Sequence, residues 1–243
     1  MIIRFSLAIL AALALSGAAA PGQDEASEKP LLLGNVKVYM KAGRIEAPGV
    51  IAIDRGVVEY MICSRGGKDY ESVVSLDLVP SDLNTALLLI GLKAGGGVDI
   101  VGDSRVPAGD GVVIYVEWVD EKTQKKARVR GERMITNVQK KGHMREIAWI
   151  YTGGRFARDK ETGKDIYLSD VVRVVAATYR DPDALLNNPL ETGIDDVFYE
   201  ADPAVVPHPG TKVTVVFEPA SAQETRNSSG KDEDVPPGAK PQG

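Results

Sequence analysis

The sequence from residue 112 to residue 118 reads Val112-Val113-Ile114-Tyr115-Val116-Glu117-Trp118. Its even-numbered side chains are apolar and share one face of an extended chain, while Tyr115 and Glu117 point the other way. A period of two residues is typical of a β-strand with one buried face. The same period recurs at residues 36–40, 147–151 and 213–217, so the sequence predicts several half-buried strands.

Two further stretches, residues 57–63 and 171–178, are apolar at nearly every position. Strands that are buried on both faces have this composition. Strands and helices do not alternate regularly along the chain, which disfavours a parallel βαβ fold. We therefore predict a β-rich α+β domain whose antiparallel or mixed sheets form a sandwich or a partly open barrel.

Two helices are predicted among these strands. The first covers about residues 81–92, where apolar residues fall at helical spacing and Ser81 can cap the free N–H groups of the first turn. Its apolar face is wide, so we expect this helix to be buried. The second is short and covers about residues 182–188, with Asp181 as its cap and Pro182 in its first turn.

The two ends of the chain differ from its middle. Residues 1–20 have the positive start, apolar run and small-residue cleavage zone of an export signal. Ala18 stands where a lipoprotein would carry a cysteine, so we expect a periplasmic or secreted protein that is not anchored to the membrane after processing. Residues 21–30 are predicted to be a disordered linker, residues 31–218 one globular domain, and residues 219–243 a disordered tail.

The composition restricts the chemistry that the chain can perform. The net charge of −5 argues against nucleic acid as a partner. Cys63 is the single cysteine, so it can form no intramolecular disulfide and cannot hold an iron–sulfur cluster. It lies in an apolar stretch and is predicted to be a buried thiol. The two histidines are isolated and no phosphate-binding or nucleophile motif is present, so we predict no metal and no cofactor.

A basic segment covers residues 122–145. On a strand, Lys126, Arg128 and Arg130 would share one face, with Ala127 on the other. Such a face could bind an anion on a polysaccharide, a lipid headgroup or an acidic partner. It could equally be the solvated side of an exposed hairpin, where charge discourages aggregation of an edge strand.

An acidic patch follows Gly193 and includes Asp195, Asp196, Glu200 and Asp202. Paired carboxylates can perform acid–base chemistry or bind a cation. An exposed loop explains them equally well, because the spacing alone fixes none of the distances that such chemistry needs.

Two sequence blocks support a family resemblance. Lys68-Asp69-Tyr70-Glu71-Ser72-Val73-Val74 is followed by Ser81-Asp82-Leu83-Asn84-Thr85-Ala86-Leu87-Leu88-Leu89-Ile90-Gly91. With Asp181-Pro182-Asp183-Ala184-Leu185-Leu186 further on, they resemble the YdjY-type domain family of exported bacterial proteins. The resemblance implies no activity that can be carried over, but it directs attention to Lys68, Glu71 and Ser72 as binding residues.

The chain departs from that family in ways that bear on function. Family members often carry histidine where this chain has Tyr70 and Asn84. Some members bear a ferredoxin label, and the resemblance therefore raises a redox role. Cys63 alone cannot supply the thiolates of a cluster, so a ferredoxin-like role is disfavoured.

These observations favour an exported, non-catalytic binding or interaction module of the bacterial envelope. Its candidate binding residues are Lys68, Glu71, Ser72, Lys126, Arg128 and Arg130. An envelope protein or a polysaccharide is the class of partner that fits, and we assign no catalytic residue. The alternative is an envelope hydrolase whose carboxylate site assembles from Glu71, Asp195 and Asp196.

Overall fold

The computed structural model describes residues 28–230. The predicted export signal, most of the linker and residues 231–243 lie outside the described residues. Short 3-10 turns cover Asp69–Glu71, Gly131–Met134 and Glu191–Ile194. The strands are β1 (Leu31–Leu33), β2 (Val36–Tyr39), β3 (Arg44–Ile51), β4 (Tyr60–Ser64), β5 (Ser72–Leu76), β6 (Gly111–Val119), β7 (Lys126–Arg130), β8 (Ile135–Asn137), β9 (Gly142–His143), β10 (Trp149–Tyr151), β11 (Phe156–Arg158), β12 (Asp165–Tyr167), β13 (Val174–Ala177), β14 (Leu186–Asn187), β15 (Tyr199–Ala201) and β16 (Lys212–Pro219). The helices are α1 (Pro80–Leu89), α2 (Leu168–Val172) and α3 (Ala222–Asn227).

Eight strands form a closed barrel in the order β3-β16-β6-β10-β14-β13-β4-β5, and β5 pairs back onto β3. The β-rich prediction is therefore confirmed, and the barrel is closed rather than partly open. Most neighbours are antiparallel, whereas β4–β5 and β13–β14 are parallel. Strands β1 and β2 continue the sheet beyond β3, and β7 pairs with β6.

Closure of the barrel depends on β3, because two different strands pair with the same edge of β3. Its first residues pair with β2 and its last residues pair with β5. A Cβ added at Gly49 would lie 2.6 Å from the carbonyl oxygen of Ser75 on β5. Only glycine allows the two backbones to approach this closely.

The interior of the barrel is filled by apolar side chains from all of its strands, with Trp149 and Phe217 among the largest that are fully buried. The carboxyl group of Glu132 also lies in this core. The Glu132 side chain is 0% exposed and accepts hydrogen bonds from Trp149 Nε1 at 2.7 Å and Arg130 Nε at 3.0 Å. These two donors satisfy the buried Glu132 carboxylate, which would destabilise the fold if it had no partner.

The predicted first helix is present as α1, and its cap differs from the prediction. Leu83, Ala86 and Leu87 are buried, whereas Leu88 and Leu89 are exposed, so the helix packs through one face only. Ser81 lies inside the helix, and the Asp170 carboxylate of α2 accepts its N–H at 2.7 Å. Among the described residues, no helix has the length and apolar character needed to span a membrane.

The predicted helix at about residues 182–188 is wrong. The Asp181 carboxylate accepts the Asp183 N–H at 2.8 Å and forms a single turn. Asn187 then fixes this turn from within β14, because its Oδ1 accepts the Asp181 N–H at 2.7 Å. Leu186 and Asn187 pair with β10 and β13, which leaves no room for a helix.

The ends of two other predicted elements also need correction. The stretch at residues 171–178 is not one strand, since α2 occupies its start and the left-handed Arg173 (φ 59°) separates it from β13. The predicted disordered tail begins with an ordered part. Helix α3 has a capping box between Ser221 and Glu224, and the buried Ser228 accepts the Ala148 N–H at 2.6 Å.

Candidate functional site

A short return segment, residues 65–71, carries most of the residues that the family resemblance singled out. Strands β4 and β5 are parallel neighbours, so the chain must travel back along β4 before β5 can begin. The segment does this without an α-helix and ends in the Asp69–Glu71 turn. It places Lys68 beside β4, with the Lys68 ammonium over the ring of Tyr60.

Lys68 is the centre of a polar cluster. Its Nζ lies 2.9 Å from a carboxylate oxygen of Glu59 and 2.9 Å from one of Glu71. It also lies 4.9 Å from the ring centroid of Tyr60. Burial alone would lower the pKa of Lys68, but the hydrogen bonds to Glu71 and Glu59 hold that pKa above its ordinary value. Lys68 is therefore charged and bound to two carboxylates.

Ser72 lies next to this cluster but has a local role. Its side chain is fully buried, and its hydroxyl donates to the carbonyl oxygen of Lys68 at 2.7 Å. The hydroxyl thus closes the end of the return segment against β5. The structure brings Lys68, Glu71 and Ser72 together, and their binding role remains a prediction.

Three buried side chains form a second polar layer under Lys68. The hydroxyls of Tyr60 and Tyr179 make a short hydrogen bond with each other, and Tyr60 also donates to Asp181 Oδ2 at 2.8 Å. Burial raises the pKa of Asp181, although the backbone N–H of Asp183 and the Tyr60 hydroxyl partly oppose this. Burial and the Asp181 charge raise the pKa of Tyr60, so its phenol stays protonated and donates.

Asp196 belongs to the acidic patch and interacts electrostatically with Glu59 of the Lys68 cluster. Burial raises the pKa of Asp196, and the charge of Glu59 raises it further. Asp195 is exposed and accepts the Asp196 N–H at 2.8 Å, and Glu200 is exposed on β15. Within residues 28–230, no group of three or more histidine, cysteine, aspartate and glutamate side chains is arranged to hold a metal ion.

The basic residues of β7 share one face, as predicted, because Lys126, Arg128 and Arg130 lie at alternate positions of a strand paired with β6. Arg128 contacts Glu117 at 2.6 Å and Glu218 at 2.7 Å. Arg130 contacts the buried Glu132, so both guanidinium groups are neutralised within the fold. Binding of an anion by this face is still a prediction.

Sequence reasoning missed a cleft that is lined in part by the start of the return segment. The cleft has a volume of about 440 Å³ and lies where the β1–β2 turn, the start of the return segment and the first turn of α1 meet. Its charged lining consists of Arg65, Asp77, Asp82, Asp170 and Arg173. Gly34 and Gly66 line it too, which leaves backbone groups accessible.

The charges of the cleft are only partly used within the fold. Arg65 lies 3.5 Å from Asp77, and Asp170 is occupied by the α1 N–H group. Arg173 donates from Nη1 to the carbonyl oxygen of Arg65 at 2.5 Å, which leaves its other N–H groups without a partner in the described chain. The Asp82 carboxylate has neither a hydrogen-bond donor nor a cation among the described residues. The cleft therefore offers a free carboxylate and unused guanidinium donors.

The cleft could not be found from spacing, because its charged residues come from distant parts of the chain. The Gly66-Gly67 pair is a sequence feature that could have indicated a close backbone contact at the cleft. A Cβ at Gly67 would lie 2.8 Å from the carbonyl oxygen of Arg173, so this glycine lets the return segment contact the Arg173 backbone. A paired glycine in a short connection thus indicates close backbone approach.

The model of one protein family matches most of the chain. The family model described as the YdjY domain matches residues 36–218, which is more than half of the 243 residues. No curated protein and no solved structure matches the chain. The matched range begins at β2 and ends in β16, so it includes every barrel strand, the Lys68 cluster and most of the cleft. The chain therefore belongs to the YdjY domain family.

Proposed function

We propose that this protein is an exported, non-catalytic binding module of the bacterial envelope, and that its ligand occupies the cleft beside the return segment. The observation that supports the proposal is the unpaired Asp82 carboxylate in the same cleft as Arg65 and Arg173. The cleft volume of about 440 Å³ falls within the range of small-molecule sites, roughly 300–1,000 Å³.

The charges favour a polar ligand that carries an acidic and a basic group. A ligand ammonium can contact Asp82, while a carboxylate can accept hydrogen bonds from Arg173 or Arg65. Charge-assisted hydrogen bonds of this kind are roughly twice as strong as neutral ones. The end of a peptide has this combination of groups, and the expected export of the chain would expose the cleft to envelope peptides.

The proposal is tested by NMR titration of the processed protein with alanyl-alanine as the probe. We expect the amide signals of Gly34 and Gly66 to shift, because both residues line the cleft. Asp82→Asn and Arg173→Gln should each weaken binding by about tenfold, the effect of losing one charged contact.

Two variants with the same charge changes serve as controls. Asp165→Asn and Arg158→Gln alter an exposed ion pair on the β11–β12 hairpin, away from the cleft lining. They should bind the probe as the wild type does. The proposal fails if the probe shifts no cleft signal, or if the controls weaken binding as much as the cleft variants.

The Lys68 cluster supports a second candidate, an envelope hydrolase with a carboxylate site. The specific observation is that Asp196 has a raised pKa next to Glu59, which shares Lys68 with Glu71. A carboxyl group with a raised pKa, close to two further carboxyl groups, has the chemistry of a general acid. This candidate requires the processed protein to release soluble saccharide or peptide from isolated envelopes, and Asp196→Asn to abolish that release.

A further inference from the structure

The outer face of β16, β6 and β7 carries cross-strand rows of charged side chains. Thr214, Glu117 and Arg128 form one row, because Thr214 pairs with Glu117 and Glu117 pairs with Arg128. Further along β6, Val119 pairs with Lys126 on β7, and Lys212 lies two residues before Thr214 on β16. Residues opposite each other on paired strands, and alternate residues of one strand, point to the same face, so both lysines and Val119 lie on this side.

The two rows differ in how their charges are satisfied. Arg128 is neutralised by Glu117 and Glu218. Within residues 28–230, no carboxylate lies within ion-pair distance of Lys126 or Lys212. Both lysines are exposed, and Val119 between them is 51% exposed. The result is an apolar residue between two free cations.

The surface around these residues is concave. A groove of about 220 Å³ is lined by Lys126, Lys212, Val119, Glu117 and Thr214, together with parts of Trp118 and Val213. Strands lie about 4.8 Å apart, so the backbones of the two lysines are roughly 10 Å apart across the groove. The groove shares no lining residue with the Arg65–Asp82 cleft.

We propose that this groove binds a carboxylate-bearing saccharide chain. The two lysines would contact acid groups on different sugar units, since an ammonium on a flexible stem tolerates several carboxylate positions. Val119 would contact the C–H surface of a sugar ring. The Thr214 hydroxyl and the Glu117 oxygen that Arg128 does not use would bind sugar hydroxyls. A cationic groove that also offers an apolar side chain and acceptors for hydroxyl groups fits such a chain better than an isolated anion.

The test measures binding of an oligogalacturonate hexamer to the processed protein by isothermal titration calorimetry. We expect binding that weakens as salt is raised, because it depends on exposed charges. The double variant Lys126→Gln and Lys212→Gln should weaken binding at least tenfold. Among the described residues neither lysine side chain makes a hydrogen bond or an ion pair, so the double variant should keep its folded circular dichroism spectrum.

A matched control removes the same charge elsewhere. Lys160→Gln with Lys164→Gln changes two exposed lysines in the β11–β12 loop and should leave the affinity unchanged. A neutral maltohexaose should not bind at the groove. The proposal is overturned if the hexamer does not bind, if the two double variants behave alike, or if inorganic phosphate competes for the groove at equal concentration.

Discussion

Asp181 shows how burial sets the charge of a single side chain in this protein. Asp181 is 5% exposed, and the raised pKa of its carboxyl group means that the folded state holds its proton to a higher pH than the unfolded chain does. The unfolded pKa is about 3.9. Unfolding therefore releases this proton between that value and the folded pKa, so the contribution of Asp181 to stability falls as pH rises through this window.

Replacing Asp181 by Asn tests this assignment. Asparagine keeps one acceptor oxygen but cannot ionise, so the free energy of unfolding of wild type minus that of Asp181→Asn should fall as the pH rises above about 4. Urea denaturation at several pH values measures this difference. Asp159→Asn is the control of opposite sign, because backbone N–H groups of Thr162 and Glu161 lower the pKa of Asp159, so its stability difference changes only below about pH 4. Parallel profiles for wild type and Asp181→Asn would contradict the assignment.

Cys63 is predicted to be chemically inert in the folded protein. Its side chain is fully buried and its thiol donates to Asp69 Oδ1 at 3.1 Å. Burial is the main cause that raises the pKa of Cys63 to about 12, so little thiolate exists at pH 8. A disulfide reagent such as DTNB should therefore label the thiol only after denaturation. Rapid labelling of the native protein would show that the site is open.

At the scale of elements, α1 depends on a residue far away in sequence. Asp170 accepts the Ser81 N–H across a separation of 89 residues. Asp170→Ala should lower the free energy of unfolding by about 1 kcal/mol, the usual effect of removing a cap. Ser81→Ala should change it by less than about 0.5 kcal/mol, because the Ser81 side chain is not the cap. Thermal or urea denaturation that ranks the two variants in the opposite order would contradict this.

The barrel strands were predictable because alternation is a local property. The period of residues 112–118 reappears in β6, and that of residues 213–217 in β16. The prediction of a helix at residues 182–188 was wrong. The structure of this segment depends on hydrogen bonds between Asp181 and Asn187 and on pairing with β10 and β13, and no local pattern of residues indicates these contacts.

The candidate sites also combine features that the local sequence predicts with features that depend on contacts between distant residues. The shared face of Lys126, Arg128 and Arg130 followed from strand geometry alone. Arg128 is not a free cation, because its guanidinium group donates to Glu218, 90 residues further along the chain. The local sequence does not indicate this contact. The cleft was not predictable, because residues from several separate segments create it only when the barrel closes.

At the scale of the whole molecule, closure of the barrel depends on the contact between β3 and β5. Gly49→Ala would place a Cβ 2.6 Å from the Ser75 carbonyl, and neither backbone can move without disturbing the sheet. We expect a loss of about 1–3 kcal/mol in the free energy of unfolding, as for other overpacked sites. Gly96→Ala is the matched control, since its Cβ would meet nothing within 4 Å. Equal stability of the two variants would mean that this contact does not limit closure.

The closed barrel also supports the proposed function, because it fixes the three segments that build the cleft. Asn35 in the β1–β2 turn donates to the Asp77 carbonyl oxygen at 2.9 Å, and Asp170 connects α2 to α1. The backbone segments that carry the charged groups of the cleft are thus held by the fold before any ligand arrives, which lowers the entropic cost of binding.

The most direct measurement is native mass spectrometry of the processed protein isolated from its own envelope fraction, compared with the Asp82→Asn variant isolated in the same way. The account predicts a small-molecule adduct on the wild type that is absent from the variant, with both proteins folded. A wild type that carries no adduct, or an adduct that the variant retains equally, would contradict the assignment of the cleft as the ligand site.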